Sequence, residues 1–156
     1  FADLEVETIP FPHDAADPVG FIFRSRWHAV ALVTDLGHTT PYIQRRLQGM
    51  DCLIVEANHD EEMLINGHYP WPLKKRILGA KGHLSNKMAA ELLSQVVGAQ
   101  TQHVVLAHLS EYNNTPQLAF TAVCSRLKKS GHLQPGKRLK VHVAARHTPS
   151  CYLRLA

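Results

Sequence analysis

Cysteine is scarce in this chain of 156 residues: there are three, Cys52, Cys124 and Cys151, far apart and with no CxxC pair. That odd, scattered set excludes a disulfide scaffold and a cysteine zinc site, and it fits a reducing compartment such as the cytoplasm. No apolar run approaches the roughly 18 residues that cross a bilayer, which excludes a membrane protein. Internal repeats and low-complexity stretches are missing, as are a basic n-region and an apolar h-region. There is no initiator Met; Phe1 runs almost directly into residues 4–9, which alternate like a strand. That start fits the later part of a longer protein, or a trimmed terminus. With 45% hydrophobic and 19% charged residues the chain is neither disordered nor collagen-like, and it is long enough for one domain with a real core. Against a net charge of only +4, one residue type stands out: eleven His, almost as many as the 13 acidic residues. Imidazole is the commonest protein metal ligand and general acid or base, so each His requires a separate reading.

Strand and helix signals alternate along the chain. Strands are expected at residues 4–9, 19–23, 28–34 (HAVALVT), 51–55, 102–107, 138–145 and 151–155. Helices are expected at 61–65, at 72–78, from Ser85 or Asn86 to about 97, and from about 115 to 129, with one more opened by Thr40 and Pro41. The class is therefore α/β, or layered α+β. Asp35, the segment from Glu56 to Asp60, and His108 each follow a strand directly, and ligands in α/β sheets bind beyond the carboxyl ends of strands.

Three strands that deliver imidazoles and carboxylates to one rim form a constellation. A dinuclear hydrolytic centre needs neutral His nitrogens and a carboxylate that bridges two cations. Asp35 suits the bridge, because it follows an apolar strand and Gly37 permits a sharp turn. Asp35 equally suits a helix cap or turn, and any one His suits a surface role, so the reading rests on the set. His13-Asp14, His59-Asp60, His83 and His108 complete it. His103 and His142 fall within strand patterns and read as strand residues. Tyr69-Pro70-Trp71-Pro72 reads as a packed turn in which an exposed Trp71 could stack on a base.

Val33-Thr34-Asp35-Leu36-Gly37 resembles the TDTG segment of metallo-β-lactamase-fold hydrolases, with Leu36 in place of the usual Thr. Residues 56–86 (EANHDEEMLINGHYPWPLKKRILGAKGHLSN) and 107–114 (AHLSEYNN) resemble the YycJ/WalJ branch of that superfamily, a branch of metal-dependent phosphodiesterases and 5′-to-3′ exonucleases. The opening 23 residues are similar to the same branch's first strand and SHDA loop. The resemblance implies an αββα sandwich. The superfamily's HxHxDH motif is missing, so residues 1–156 look like a partial domain, the second half of that sandwich without its HxHxDH-bearing half.

Carried over by motif, His13, Asp35 and His108 would be metal ligands. Glu56 and His83 resemble the pair that assists proton transfer and phosphate binding in ribonuclease Z. His59, within the NHD signature, would line the same cleft. The intact protein would hold two divalent ions, zinc or manganese, and this chain alone would bind them incompletely. The expected substrate is nucleic acid or another phosphodiester, with the missing half or another chain as partner. Two alternatives stand beside this: a small cyclic phosphodiesterase of the same fold, or a catalytically silent remnant. Lys74, Lys75, Arg76 and Lys81 would bind phosphates or form a solvated helix face. Asn113 and Asn114 would contact the substrate backbone or cap the following helix.

Overall fold

In the computed structural model, which describes residues 3–150 and 152–156, the apolar runs become one six-stranded sheet in chain order. The strands are β1 (Glu5–Pro10), β2 (Val19–Arg24), β3 (Ala29–Val33), β4 (Cys52–Glu56), β5 (His103–Ala107) and β6 (Lys140–Val143). β1, β2 and β3 are antiparallel neighbours; β3 through β6 are parallel. Parallel neighbours need crossovers, and the helices supply them: α1 (Pro41–Leu47) between β3 and β4, α2 (Glu61–Asn66), α3 (Trp71–Leu78) and α4 (Asn86–Val96) between β4 and β5, and α5 (Pro116–Lys129) between β5 and β6.

The helix starts are chemically encoded. Thr40, Asp60, Ser85 and Thr115 each accept a hydrogen bond from a backbone N–H of the first turn. Each such cap contributes about 1 kcal/mol. Thr40 with Pro41 and Ser85 act as the sequence indicates. Thr115 caps α5, so Asn114 is not the cap. Its amide donates to the Ala57 and Asn58 carbonyls and pairs with Asn86, and both Asn113 and Asn114 are buried.

Alternation along the strands divides the sheet into two faces. Ala31, Val33, Leu53, Val55, Val104 and Leu106, all fully buried, turn toward Ile43 and Leu47 of α1, Leu92 and Leu93 of α4, and Val123 and Leu127 of α5 in one hydrophobic core. Phe21, Phe23, Val30, Leu32 and Ile54 lie on the other face and stay half-buried, while Cys52 and Val105 of that face are buried. Residues 152–156 are not the final strand expected from the sequence. They run as irregular chain, tied to the sheet where Gln102 and Ala156 exchange hydrogen bonds of 3.0 and 2.9 Å. A segment anchored by its end through a side chain, without a backbone ladder, does not form a strand. Phe1 and Cys151 lie outside the described residues. Cys52 and Cys124 are free and buried.

Candidate metal centre

The carboxyl ends of β3, β4 and β5 meet the loop between β1 and β2 and the loop entering α4. Backbone bonds join these segments: Gly37 donates to the Pro12 carbonyl at 2.9 Å and Asp14 to the Lys81 carbonyl at 3.1 Å. The approach is close enough that a Cβ on Gly37 would lie 2.3 Å from the Ala80 oxygen, and one on Gly82 2.1 Å from the Ile77 oxygen. Gly37 is thus required by crowding. The turn itself is made by Asp35, whose φ is +61°, and His108 has φ +56°. Left-handed backbone at a non-glycine residue costs about 1–3 kcal/mol, and such residues cluster at functional sites.

Glu56, at the end of β4, lies beneath this rim and is fully buried. Its Oε2 accepts from the Asp35 N–H at 3.1 Å, from His83 Nδ1 at 2.9 Å and from His108 Nδ1 at 2.5 Å, while Oε1 accepts from the Leu84 N–H at 2.7 Å. Burial pushes the Glu56 carboxyl up, but the bonds from His108 and His83 and from the Leu84 backbone outweigh it and bring it to about 2. An ionised carboxylate only accepts, so both imidazoles carry their proton on Nδ1 toward Glu56 and leave Nε2 as the other ring nitrogen. The hydrogen bond to Glu56 raises the pKa of His108 against the effect of burial.

Above Glu56, the half-exposed Asp35 stands among three imidazoles. Its Oδ1 is 3.8 Å from His13 Nε2, 3.9 Å from His83 Nδ1 and 3.8 Å from His108 Nδ1. His13 Nδ1 meets the Gly82 carbonyl at 2.9 Å, which fixes a proton there and leaves Nε2 as a lone-pair donor. Donor atoms of Asp35, Glu56, His83 and His108 all lie within 4.8 Å of one another. The 3.8 Å between Asp35 Oδ1 and His13 Nε2, both uncommitted, fits two ligands of one cation; His83 and His108, with Nδ1 turned to Glu56, would offer Nε2. Donors that sit ~2.0–2.2 Å from a shared ion stand roughly 3–4 Å apart. The Asp35 carboxylate accepts no hydrogen bond among the described residues, so its lone pairs are uncommitted. Carboxylate oxygens with imidazole nitrogens suit a divalent metal ion.

Of the six residues singled out in the sequence, the structure brings five together: His13, Asp35, Glu56, His83 and His108. His13, Asp35, His83 and His108 line a cavity of about 490 Å³, while Glu56 touches it only through the histidines. His59 does not line the cleft. It is 1% exposed, and both ring nitrogens are buried without a hydrogen-bond partner. Its backbone explains this: His59 bridges Ser85, and its carbonyl accepts from the Asn86 N–H at 2.8 Å, which pins the residue under the loop entering α4. Burial lowers its pKa, so the ring stays neutral. Lys74 is also buried, its ammonium bonded to the Ile65 and Gly67 carbonyls at 2.7 Å each, and it is unavailable to phosphates. Arg76 does reach the cavity wall, paired with Asp14. Tyr112 and Arg146, also on that wall, escaped the sequence reading. Tyr112 lies four residues after His108 in the same loop, and that proximity was the available signal.

Fold and site together define an α/β protein with a His- and carboxylate-walled, metal-type pocket at the carboxyl ends of parallel strands. Residues 1–109 match the beta-lactamase superfamily domain, and the chain belongs to that family. It is 38% identical over 142 residues to exodeoxyribonuclease YycJ of Bacillus anthracis, a match that covers 91% of this chain and 53% of that protein. It is 35% identical over 130 residues to exodeoxyribonuclease WalJ of Streptococcus pneumoniae, covering 83% of this chain and 48% of that one. The chain thus spans about half the length of these relatives. The metallo-β-lactamase fold protein YhfI from Bacillus subtilis shares the fold, with a TM-score of 0.61 at 12% identity over 90% of this chain and 46% of that one. The resemblance read from the motifs is borne out at the level of family and fold. Among the described residues no helix is long and apolar enough to cross a membrane.

Proposed function

We propose that this chain is the second half of a metallo-β-lactamase-fold domain, and that the intact protein is a cytoplasmic metal-dependent phosphodiesterase, a 5′-to-3′ exonuclease on nucleic acid. The observation that carries the reading is the convergence of His13, His83 and His108 on Asp35 at 3.8–3.9 Å, above the buried, ionised Glu56. The half-buried apolar face of the sheet supports the partial-domain reading, because a second sheet would cover it. The names of the two exodeoxyribonuclease relatives support the substrate.

In this reading His13, Asp35 and His108 hold divalent metal, zinc or manganese, in a two-ion centre whose other donors lie beyond this chain. Bound ions would supply Lewis-acid stabilisation of charge on the phosphate oxygens. The chain's own residues handle the proton. As a water oxygen bonds to phosphorus and releases its proton to solvent, the bond from phosphorus to the leaving sugar oxygen breaks, and that oxygen takes a proton from His83 Nε2. Glu56, bonded to Nδ1, orients the ring. His59 serves packing, as a neutral buried ring.

The test uses the intact protein with 5′-phosphorylated single-stranded DNA and with bis-p-nitrophenyl phosphate. Cleavage of both is expected, and Asp35→Ala should lower each rate by at least about 100-fold, since a lost metal contact costs that order. Turnover of the small ester alone would leave a small-molecule phosphodiesterase and overturn the nuclease reading. Undiminished cleavage by Asp35→Ala would remove Asp35 from the reaction.

A further inference from the structure

The cavity that holds the His–Asp cluster has a second, aromatic wall. Tyr112, in the loop that starts at His108, lines it and is 56% exposed; Tyr69, in the turn before α3, lines it from the other side of the loop pair. Tyr112 is braced. The His68 ring centroid stands 5.0 Å from it at 88°, and Tyr69 stands 6.1 Å from it at 66°. His68 and Tyr69 meet at 5.0 Å and 79°. Three rings in edge contact hold one another's orientation, so Tyr112 presents a preset aromatic surface beside the candidate metal cluster. Two guanidiniums share the same wall, Arg76, paired with Asp14, and Arg146, which donates to the Leu109 carbonyl and lies 3.9 Å from Glu111. An aromatic platform, cationic side chains and a candidate metal cluster in one cavity match a nucleotide, with the base on the ring and the phosphate on a bound cation.

We propose that Tyr112, braced by His68 and Tyr69, is a stacking platform for the nucleobase next to the phosphate held at the Asp35–His83–His108 cluster, which makes this face a nucleotide subsite. The inference deepens the phosphodiesterase reading and rests on it. Stacking has no hydrogen-bond code, so the subsite accepts any base and favours no sequence. Tyr112 binds and positions; it takes no part in bond making.

The probe is 2-aminopurine deoxyriboside 5′-monophosphate, whose fluorescence is quenched by stacking. Titrated with this chain, it should be quenched. Tyr112→Ala should weaken binding about tenfold and Tyr112→Phe less than twofold, because a base–aromatic stack is worth roughly that much and the phenol oxygen adds nothing to it. Trp27→Ala, which removes an exposed aromatic (74%) at the opposite end of β3, should change nothing. Deoxyribose 5-phosphate should displace the probe only at about tenfold higher concentration than dTMP. Equal binding by wild type and Tyr112→Ala, or no quenching at all, overturns the platform. Equal displacement by the abasic sugar phosphate also overturns it while leaving phosphate binding intact. Oligonucleotide cleavage by the intact protein, scored separately, shows whether the underlying hydrolase reading falls as well.

Discussion

Leu53 and Ile54 are consecutive residues of β4, alike in size and chemistry, and they occupy different worlds. Leu53 is wholly buried under the helices; Ile54 looks onto the open side of the sheet and is half-buried. The same contrast runs across the sheet, with Ala31, Val33 and Val55 on the closed side and Phe21, Val30 and Leu32 on the open one. The helix face is a finished core, whereas the other face is covered only in part: Cys52 and Val105 are buried there while Phe21, Val30, Leu32 and Ile54 are half-buried. The candidate metal centre sits at the rim that both faces share.

The largest effect expected is on the finished side. Leu53→Ala should cost about 3–4 kcal/mol in urea unfolding, through lost transfer energy and a cavity that packed helices cannot fill. Next is the rim. Glu56→Gln should cost about 2–3 kcal/mol, because the carboxylate answers two backbone N–H groups and two imidazoles at once. The sign of the pH dependence follows from the depressed Glu56 pKa. The metal-free chain has this contribution in full above the ordinary carboxylate value of 4.5 and loses it as pH falls toward about 2. His108, with its raised pKa, contributes below its ordinary value of 6.5 and loses that as pH rises through the raised one. Stability curves of Glu56→Gln should therefore be flatter than wild type between pH 4.5 and 2, and NMR should show the His108 pKa falling back toward 6.5.

On the open side, Ile54→Ala should cost only about 1 kcal/mol in this chain, and about 2–4 kcal/mol in the intact protein, where a second sheet would bury it. Equal losses from Leu53→Ala and Ile54→Ala in this chain would break the comparison outright. The smallest effect has the opposite sign. Asp35→Gly should raise stability by about 0.5–1 kcal/mol, since glycine takes φ +61° without strain, while metal binding is lost. A destabilised Asp35→Gly in calorimetry would show that no strain is stored at the rim.

What was legible in the sequence follows from short-range physics. Thr40-Pro41, Ser85 and Thr115 announce helix starts because a cap bonds within three residues, and HAVALVT announces a buried strand by its composition. The rim was legible because Asp35, Glu56 and His108 each end a strand, and parallel strands bring such ends together. What stayed hidden depends on distant partners. Nothing local says that Glu56 would sink to accept four bonds, that His59 would be pinned under Ser85, or that Lys74 would turn inward to the Ile65 and Gly67 carbonyls. The left-handed backbone of Asp35 and His108 was equally invisible, since nothing in the neighbouring residue types marks it. The expected strand at 151–155 finds no ladder over its described residues, 152–155.

The most direct test of the central claim, a cation pocket only partly furnished by this chain, is a calorimetric titration of Mn²⁺ or Zn²⁺ into the chain. One weak binding event per chain is expected, abolished by Asp35→Ala and untouched by His142→Ala, which alters a histidine on β6 away from the rim. Identical titrations for wild type and Asp35→Ala, or two tightly bound ions per chain, would contradict it.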